Sequence, residues 1–294
     1  MSEISEGRWV TMNSALHRVK PMTKLGIYLA LFALSIPALL PMLWMVSTSF
    51  KGNAQIFAAG DFKPSSLFPS PLVTSNYPDA LHNMPFMLYL RNTLVLCIST
   101  IIGAVGSSAI VAYAFAKMEF DGKALLFGIM IATMALPGQV TMIPVFALFR
   151  SLGWYGTYLP LIVPAFTGSA YYVFLLTQFF KTLPAEMSEA CRIDGAGEWK
   201  IFWTLILPLS KPAIATCALF QFIGTWNDFL GPLLYVNDPA KYTLAYGLQQ
   251  FVSHYGGFFA QLMAAATIFT LPIIILFFFA QKTFIQGIST TGGK

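Results

Sequence analysis

The segment from Leu25 to Phe50 reads LGIYLALFALSIPALLPMLWMVSTSF and contains no Asp, Glu, Lys, Arg or His, with Lys24 and Lys51 standing at its two ends. A helix rises ~1.5 Å per residue and a bilayer core is ~30 Å thick, so about 20 such residues suffice to cross it. Lipid offers backbone groups no partner, so a segment of this kind must bond internally, as a helix. Residues 92–116, 124–149, 159–180 and 260–281 are equally free of charge, and a further apolar segment at about 212–232 meets one charge, Asp228, near its end. The expected fold is therefore an all-α integral membrane protein with six transmembrane helices, at about 25–50, 92–116, 124–149, 159–180, 212–232 and 260–281. The many prolines inside them, among them Pro37, Pro41, Pro137, Pro144, Pro164 and Pro272, imply kinks.

The rest of the chain agrees. Of 294 residues 56% are hydrophobic and 10% charged, against about a quarter charged in an ordinary soluble domain. A net charge of +5 at a mean hydropathy of +0.68 places the basic groups among apolar stretches, which excludes a nucleic-acid face. Cys97, Cys191 and Cys217 are isolated in sequence, and the three histidines equally so, which suggests neither a disulfide framework nor a metal centre.

Of the 17 Lys and Arg, five (Lys51, Lys63, Arg91, Arg150, Lys241) fall in the loops on one side and twelve on the other. Basic loops stay in the cytoplasm, so both termini are expected there. This divides the chain into a cytoplasmic segment 1–24, a six-span domain 25–281 and a cytoplasmic tail 282–294. Met1 to Lys24 is polar and the apolar run after it exceeds a cleavable signal's hydrophobic region, so no removable leader is expected.

One inner loop, 181–211, is far longer than joining two helices requires, and it holds four acids (Glu186, Glu189, Asp194, Glu198) with four bases. Pro184 at the start and acids in the first turn predict a short helix through Ile193. Asp194-Gly195 ends it, glycine tolerating the left-handed terminal conformation. A second helix is expected from Glu198-Trp199 toward Leu207-Pro208. Small residues at Ala190, Gly195 and Ala196 permit close approach, and Met187, Ile193, Trp199 and Phe202 offer apolar anchors, so the loop reads as a protein-docking element. A lipid-surface helix would carry a basic face instead.

Glu189-Ala190, Gly195 six residues later and Leu207-Pro208 resemble the "EAA" loop of permease subunits of binding-protein-dependent ABC importers. Cys191 and Leu205 depart from the usual Ala and Ile. Ala112 to Lys117 with Asp121-Gly122-Lys123, Pro137 to Pro144, Leu152-Gly153, Thr225 to Leu230 with Pro232, and Gln281 to Gly287 resemble the carbohydrate branch. The shorter permease of maltose/maltodextrin importers is the most similar type, from about Lys24 onward, although Gly231 stands where that branch usually has Trp.

The resemblance implies a type I importer permease in the bacterial inner membrane. Its partners would be a second homologous permease, two ATPase subunits and an extracytoplasmic solute-binding protein. ATP and magnesium would be bound by the ATPases, this chain binding no cofactor and no metal. Glu189, Ala190, Asp194, Gly195, Ala196, Trp199, Leu207 and Pro208 would form the ATPase-coupling loop. A loop carrying Gln249, Gln250, Phe251, His254, Tyr255 and Gly256 would reach the binding protein's sugar cleft, an ordered surface loop being the alternative. The C-terminal tail would insert between the ATPases or hang free.

Two features stay open on the residues alone. Trp226, Asn227 and Asp228 suit either a carbohydrate path or an interfacial group bonded to a neighbouring helix. The small residues Gly103, Gly106, Ser107, Ser108 and Ala112 fit close helix packing better than a pore lining.

Enzyme chemistry is absent from the sequence: there is no G-x-x-x-x-G-K-[ST] loop, no H-E-x-x-H and no Ser-His or Cys-His pairing within the spans. An ion-coupled secondary transporter of small polar solutes is the alternative, but it would need ionisable groups at mid-membrane, and five of the six segments have none. The scarcity of basic residues near the spans favours a neutral sugar, with maltodextrin-like and alginate-like oligosaccharides both compatible with the resemblance.

Overall fold

The computed structural model describes residues 21–58, 67–253 and 258–291, and every element among them is helical. Along the chain these are α1 (Pro21–Ser49), α2 (Asn53–Ala58), α3 (Asn76–Asn83), α4 (Phe86–Lys117), α5 (Lys123–Thr133), α6 (Gly138–Ser151), α7 (Leu159–Ile162) and α8 (Ala170–Lys181). There follow α9 (Ala185–Ile193), α10 (Glu198–Leu209), α11 (Lys211–Trp226), α12 (Leu230–Tyr235), α13 (Leu244–Ser253) and α14 (Phe259–Thr291).

Helix α4 is the axis of the molecule. Its buried face is rich in small and hydroxyl-bearing residues, Thr93, Thr100, Gly103, Ala104, Ser108, Ala109 and Ala112, so neighbouring helices approach closely along its length. Toward its C-terminal end Ala104 to Phe115 pack with Val173, Leu176 and Phe180 of α8, Ile201, Phe202 and Ile206 of α10, and Cys217 of α11. Toward its N-terminal end Tyr89 and Cys97 pack with Ala80 of α3, Trp226 of α11, Leu244 and Phe251 of α13, and Ala264 and Ala265 of α14. At Gly103 the approach is so close that a Cβ would stand 2.7 Å from the Phe166 ring. The small-residue run is thus packing surface at Gly103, Ser108 and Ala112, while Gly106 faces open space.

Four helical segments are long and apolar enough to cross a bilayer: Pro21–Ser49, Phe86–Lys117, Leu159–Lys181 and Phe259–Phe279. Two bent pairs, α5 with α6 and α10 with α11, raise the total to six if each is one crossing. The straight helix expected over 124–149 is instead α5 and α6 at 95°, because Pro137 is extended (ψ 134°) and begins the new helix as its cap. The segment expected over 212–232 ends at Trp226, and Asn227 to Phe229 separate it from α12. A 79° bend also parts it from α10, where Ser210 leaves helical geometry and Pro212, lacking an N–H, is accommodated in the first turn of α11.

The segment 159–180 is broken as well. A 3₁₀ turn, Val163–Thr167, is followed by Gly168 at φ +88°, ψ 156°, a conformation open essentially to glycine alone. Ser108 Oγ accepts the freed Ser169 N–H at 2.9 Å. The outermost expectations shift less: α1 begins at Pro21, α4 begins at Phe86 and so includes Arg91, and α14 continues through the expected tail to Thr291. No proline lies between Gln281 and Thr291 to stop it.

Candidate functional site

Three regions bear on function, beginning with the inner loop. Helix α9 ends at Ile193 with Asp194 as its cap, and Gly195 takes φ +79° so that Ala196 N–H can return to Cys191 O at 2.9 Å, which is the left-handed turn its Asp-Gly pair implies. Helix α10 then leaves at Glu198 and contains a π turn, Phe202–Ile206. The loop is held to the bundle from α4. Tyr113 Oη–H donates to Glu198 Oε2 at 2.5 Å, and Lys117 Nζ donates to Leu183 O at 2.7 Å. Arg192 closes the turn with Nε donating to Glu198 Oε1 at 2.7 Å and Nη2 to Oε2 at 3.3 Å.

The bonds from Arg192, and then from Tyr113, hold the Glu198 carboxyl below its ordinary range, and the Glu198 bond raises Arg192. With side chains 39% and 38% exposed, the ion pair contributes only ~0.5 kcal/mol to stability after solvent screening. What it supplies is orientation, because a two-pronged guanidinium fixes the angle between α9 and α10.

Of the docking residues expected here, Glu189, Ala190, Asp194, Gly195 and Pro208 are exposed, and Ala196 and Leu207 are half-buried. Trp199 is 63% exposed and Ile193 87%, while Phe202 beneath them is buried. A polar-edged arm with exposed apolar tips therefore projects from a firmly packed base.

The second region is a cavity of about 290 Å³ between α4, α7 and α11, lined in part by Thr100, Gln221, Thr225 and Asp228. The hydroxyls of Thr100 and Thr225 lie 2.9 Å apart, and Gln221 Nε2 donates to Thr225 Oγ1 at 3.0 Å. Asp228 Oδ1 accepts the Gly231 N–H at 2.9 Å. A Cβ at Gly231 would overlap that carboxylate and Leu161, so the missing side chain lets Asp228 turn back over the start of α12. Asn227 is exposed, its Nδ2 donating to Ile223 O at 2.8 Å.

Trp226 does not share this site. It is 1% exposed, stacked on Phe222 and packed against Phe269 with Nε1 donating to the Phe269 carbonyl at 3.3 Å, because its position on α11 faces α14. In the sequence Thr225 stands out only as the first residue of the Thr225 to Leu230 resemblance, and Thr100 and Gln221 carry no signal. A threonine in an apolar helix looks the same whether it bonds its own backbone or a helix 125 residues away.

The third region is α13. Gln249 is exposed and Gln250 half-buried, whereas Phe251 is 1% exposed in the core shared with α4 and α14. His254, Tyr255 and Gly256 lie outside the described residues.

Residues 104–290 match the model of the family described as "Binding-protein-dependent transport system inner membrane component". The chain belongs to that family. It is a multi-pass, non-catalytic permease of an ABC importer, and this excludes the ion-coupled alternative. The permease is 31% identical over 273 residues to a probable ABC transporter permease of Bacillus subtilis (strain 168), covering 92% of this chain and 88% of that one. It is 30% identical over 259 residues to the diacetylchitobiose uptake system permease of Streptomyces coelicolor, covering 87% and 84%. Among solved structures it matches a bacterial ABC transporter involved in import of the acidic polysaccharide alginate, with TM-score 0.73 and 25% identity over 90% of this chain and 97% of that one.

Proposed function

We propose that this permease carries a neutral oligosaccharide and forms the path together with a second, homologous permease. Two ATPase subunits, holding ATP and magnesium, dock on the arm formed by α9, the Gly195 turn and the first turn of α10, with Glu189, Ala190, Asp194, Ala196 and Trp199 at the contact and Leu207-Pro208 at its base. A solute-binding protein delivers the sugar on the opposite face, where the segment from Gln249 onward, including His254, Tyr255 and Gly256, helps release it. Both termini are then cytoplasmic, as the distribution of basic residues requires.

The observation that carries the docking assignment is the exposure of Ile193 and Trp199 on an arm whose base is locked to α4. The sugar reading is supported by the relative that takes up diacetylchitobiose. Electrostatics favour a neutral over an acidic sugar: the cavity presents the Asp228 carboxylate beside two threonine hydroxyls and an amide, with no Lys, Arg or His in its lining. Such groups bond hydroxyls and repel an anion.

The test is ATPase activity of the reconstituted complex with its own binding protein, offered maltotriose, diacetylchitobiose or an alginate trisaccharide. Stimulation by a neutral sugar is expected, and stimulation by the alginate fragment alone would overturn the neutral reading. Asp228→Asn keeps an oxygen for the Gly231 N–H and should lower uptake of the stimulating sugar several-fold; unchanged uptake removes Asp228 from the path.

A further inference from the structure

We infer that Arg192, Glu198 and Tyr113 form the link through which movement of α9 reaches the spans, so that these three residues set how tightly ATP turnover is tied to sugar passage. The inference rests on the reading of α9 as the ATPase-docking helix.

Helix α9 has little hold of its own on the bundle. Ser188 is its one buried residue, and among the described residues Arg192 is the member of α9 whose side chain makes a hydrogen bond. A push on α9 therefore passes inward through its backbone at both ends, through the packing of Ser188 and Cys191, and through the one side-chain hydrogen bond that α9 makes among the described residues, that of the Arg192 guanidinium. At the Gly195 turn only backbone bonds make the connection, and nothing packs within 4 Å of a Cβ position there. The side-chain route is stiff, because the two-pronged contact on Glu198 fixes both distance and angle.

Glu198 passes the load on. Its Oε2 also accepts the Tyr113 hydroxyl, and the Tyr113 ring is wedged against Phe202 of α10 with centroids 5.4 Å apart. Tyr113 is buried in α4. One turn further along α4, Lys117 grips the carbonyl of Leu183 just before α9 begins. The same helix end thus holds the chain as it enters α9 and again as it leaves the turn. Thirteen residues back along α4, about 20 Å by helix rise, Thr100 lines the cavity. One packed helix therefore joins the arm to the cavity, and a rigid tilt imposed at Tyr113 would carry to Thr100. These residues touch neither nucleotide nor sugar; they are positioning residues, and coupling between two remote sites is the quantity they govern.

The experiment uses the complete transporter in liposomes and measures ATP hydrolysed per sugar imported, with the panel sugar that best stimulates the unmodified complex. Tyr113→Phe keeps the ring and removes only the hydroxyl, and Glu198→Gln removes the charge. In both, the ATPase subunits should remain bound while ATP spent per sugar rises about tenfold, a size usual for coupling between sites. Exchanging the pair, Arg192→Glu with Glu198→Arg, restores an opposite-charge contact and leaves the Tyr113 hydroxyl a partner, so it should recover most of the lost coupling. Unchanged stoichiometry in both single variants would overturn the inference. So would loss of the ATPase subunits from the Tyr113→Phe complex, which would make the contact a docking element. An unmodified complex with no ATP-driven import fails at the earlier reading, and the link falls with it.

Discussion

Helices α1 and α4 are about equally long and apolar, yet none of the most apolar window of α1 is buried within the chain, against 44% of that of α4. The difference lies in the kind of residue between the large ones. Helix α1 presents Leu, Ile, Phe and Met almost all round, with Leu29, Phe32 and Leu34 exposed. Helix α4 intersperses Gly, Ala, Ser and Thr along one face and buries fourteen residues there. In a membrane, apolar side chains gain little by exchanging lipid tails for a helix neighbour, so close packing and hydrogen bonds decide which helix goes inside. Hydropathy marks what is in the membrane; small polar residues mark what is in the middle of the bundle.

Paired substitutions at matched positions test that contrast. The largest effect is expected from Gly103→Leu in α4, which drives a side chain into the Phe166 ring and should cost about 3 kcal/mol, read as a lower thermal midpoint of the purified chain. Gly26→Leu in α1 meets nothing within 4 Å and should leave the midpoint unchanged or slightly higher. An equal loss at both sites would break the distinction.

A smaller difference is expected at the hydroxyls. Ser108→Ala leaves the Ser169 N–H without its acceptor inside the bundle, at a cost of about 1–2 kcal/mol. Ser35 merely returns its proton to Phe32 O of its own helix, so Ser35→Ala should not be measurable by the same unfolding assay.

The smallest is a pH effect at the inner end of α4. The Glu198 carboxyl titrates below its ordinary value. Its contribution is therefore complete above the ordinary carboxylate value of ~4.3 and fades as pH falls through the lowered native one. For a pair this exposed the loss is ~0.5 kcal/mol. Hydrogen-exchange protection over 185–201 should be flat from neutral pH to about 5 and fall only in stronger acid. Residues 25–49 of α1, with no carboxylate, should show no such fall. Loss of protection already at pH 6 would mean that another group holds the arm.

Much of this architecture is written locally. Charge-free length identifies the spanning segments, and Pro184, Asp194 and Gly195 identify the helix and turn of the arm, because caps and left-handed turns are decided by residues in contact along the chain. The breaks were harder to read. Pro137 and Pro212 both begin helices at a sharp bend, whereas Pro37, Pro41 and Pro272 sit inside continuous ones, and only Gly138 directly after Pro137 and Ser210 ahead of Pro212 hint at the difference. The cavity was legible only at Asp228, whose charge stands out in an apolar segment. Thr100, Gln221 and Thr225 become a group only when α4 and α11 meet, and Trp226, adjacent to Asn227, lies on the opposite side of α11 and so joins the core.

The interruption at Gly168 has a mechanical consequence. A helix resists bending because each turn is stapled to the next, and where no staple exists flexing breaks nothing. Between the 3₁₀ turn and α8 the ladder is already open, its loose N–H held sideways by Ser108. The two halves of that crossing therefore behave as separate rods meeting at a joint beside α4. A swing of one rod against the other would change the outline of the bundle at that depth without unwinding either.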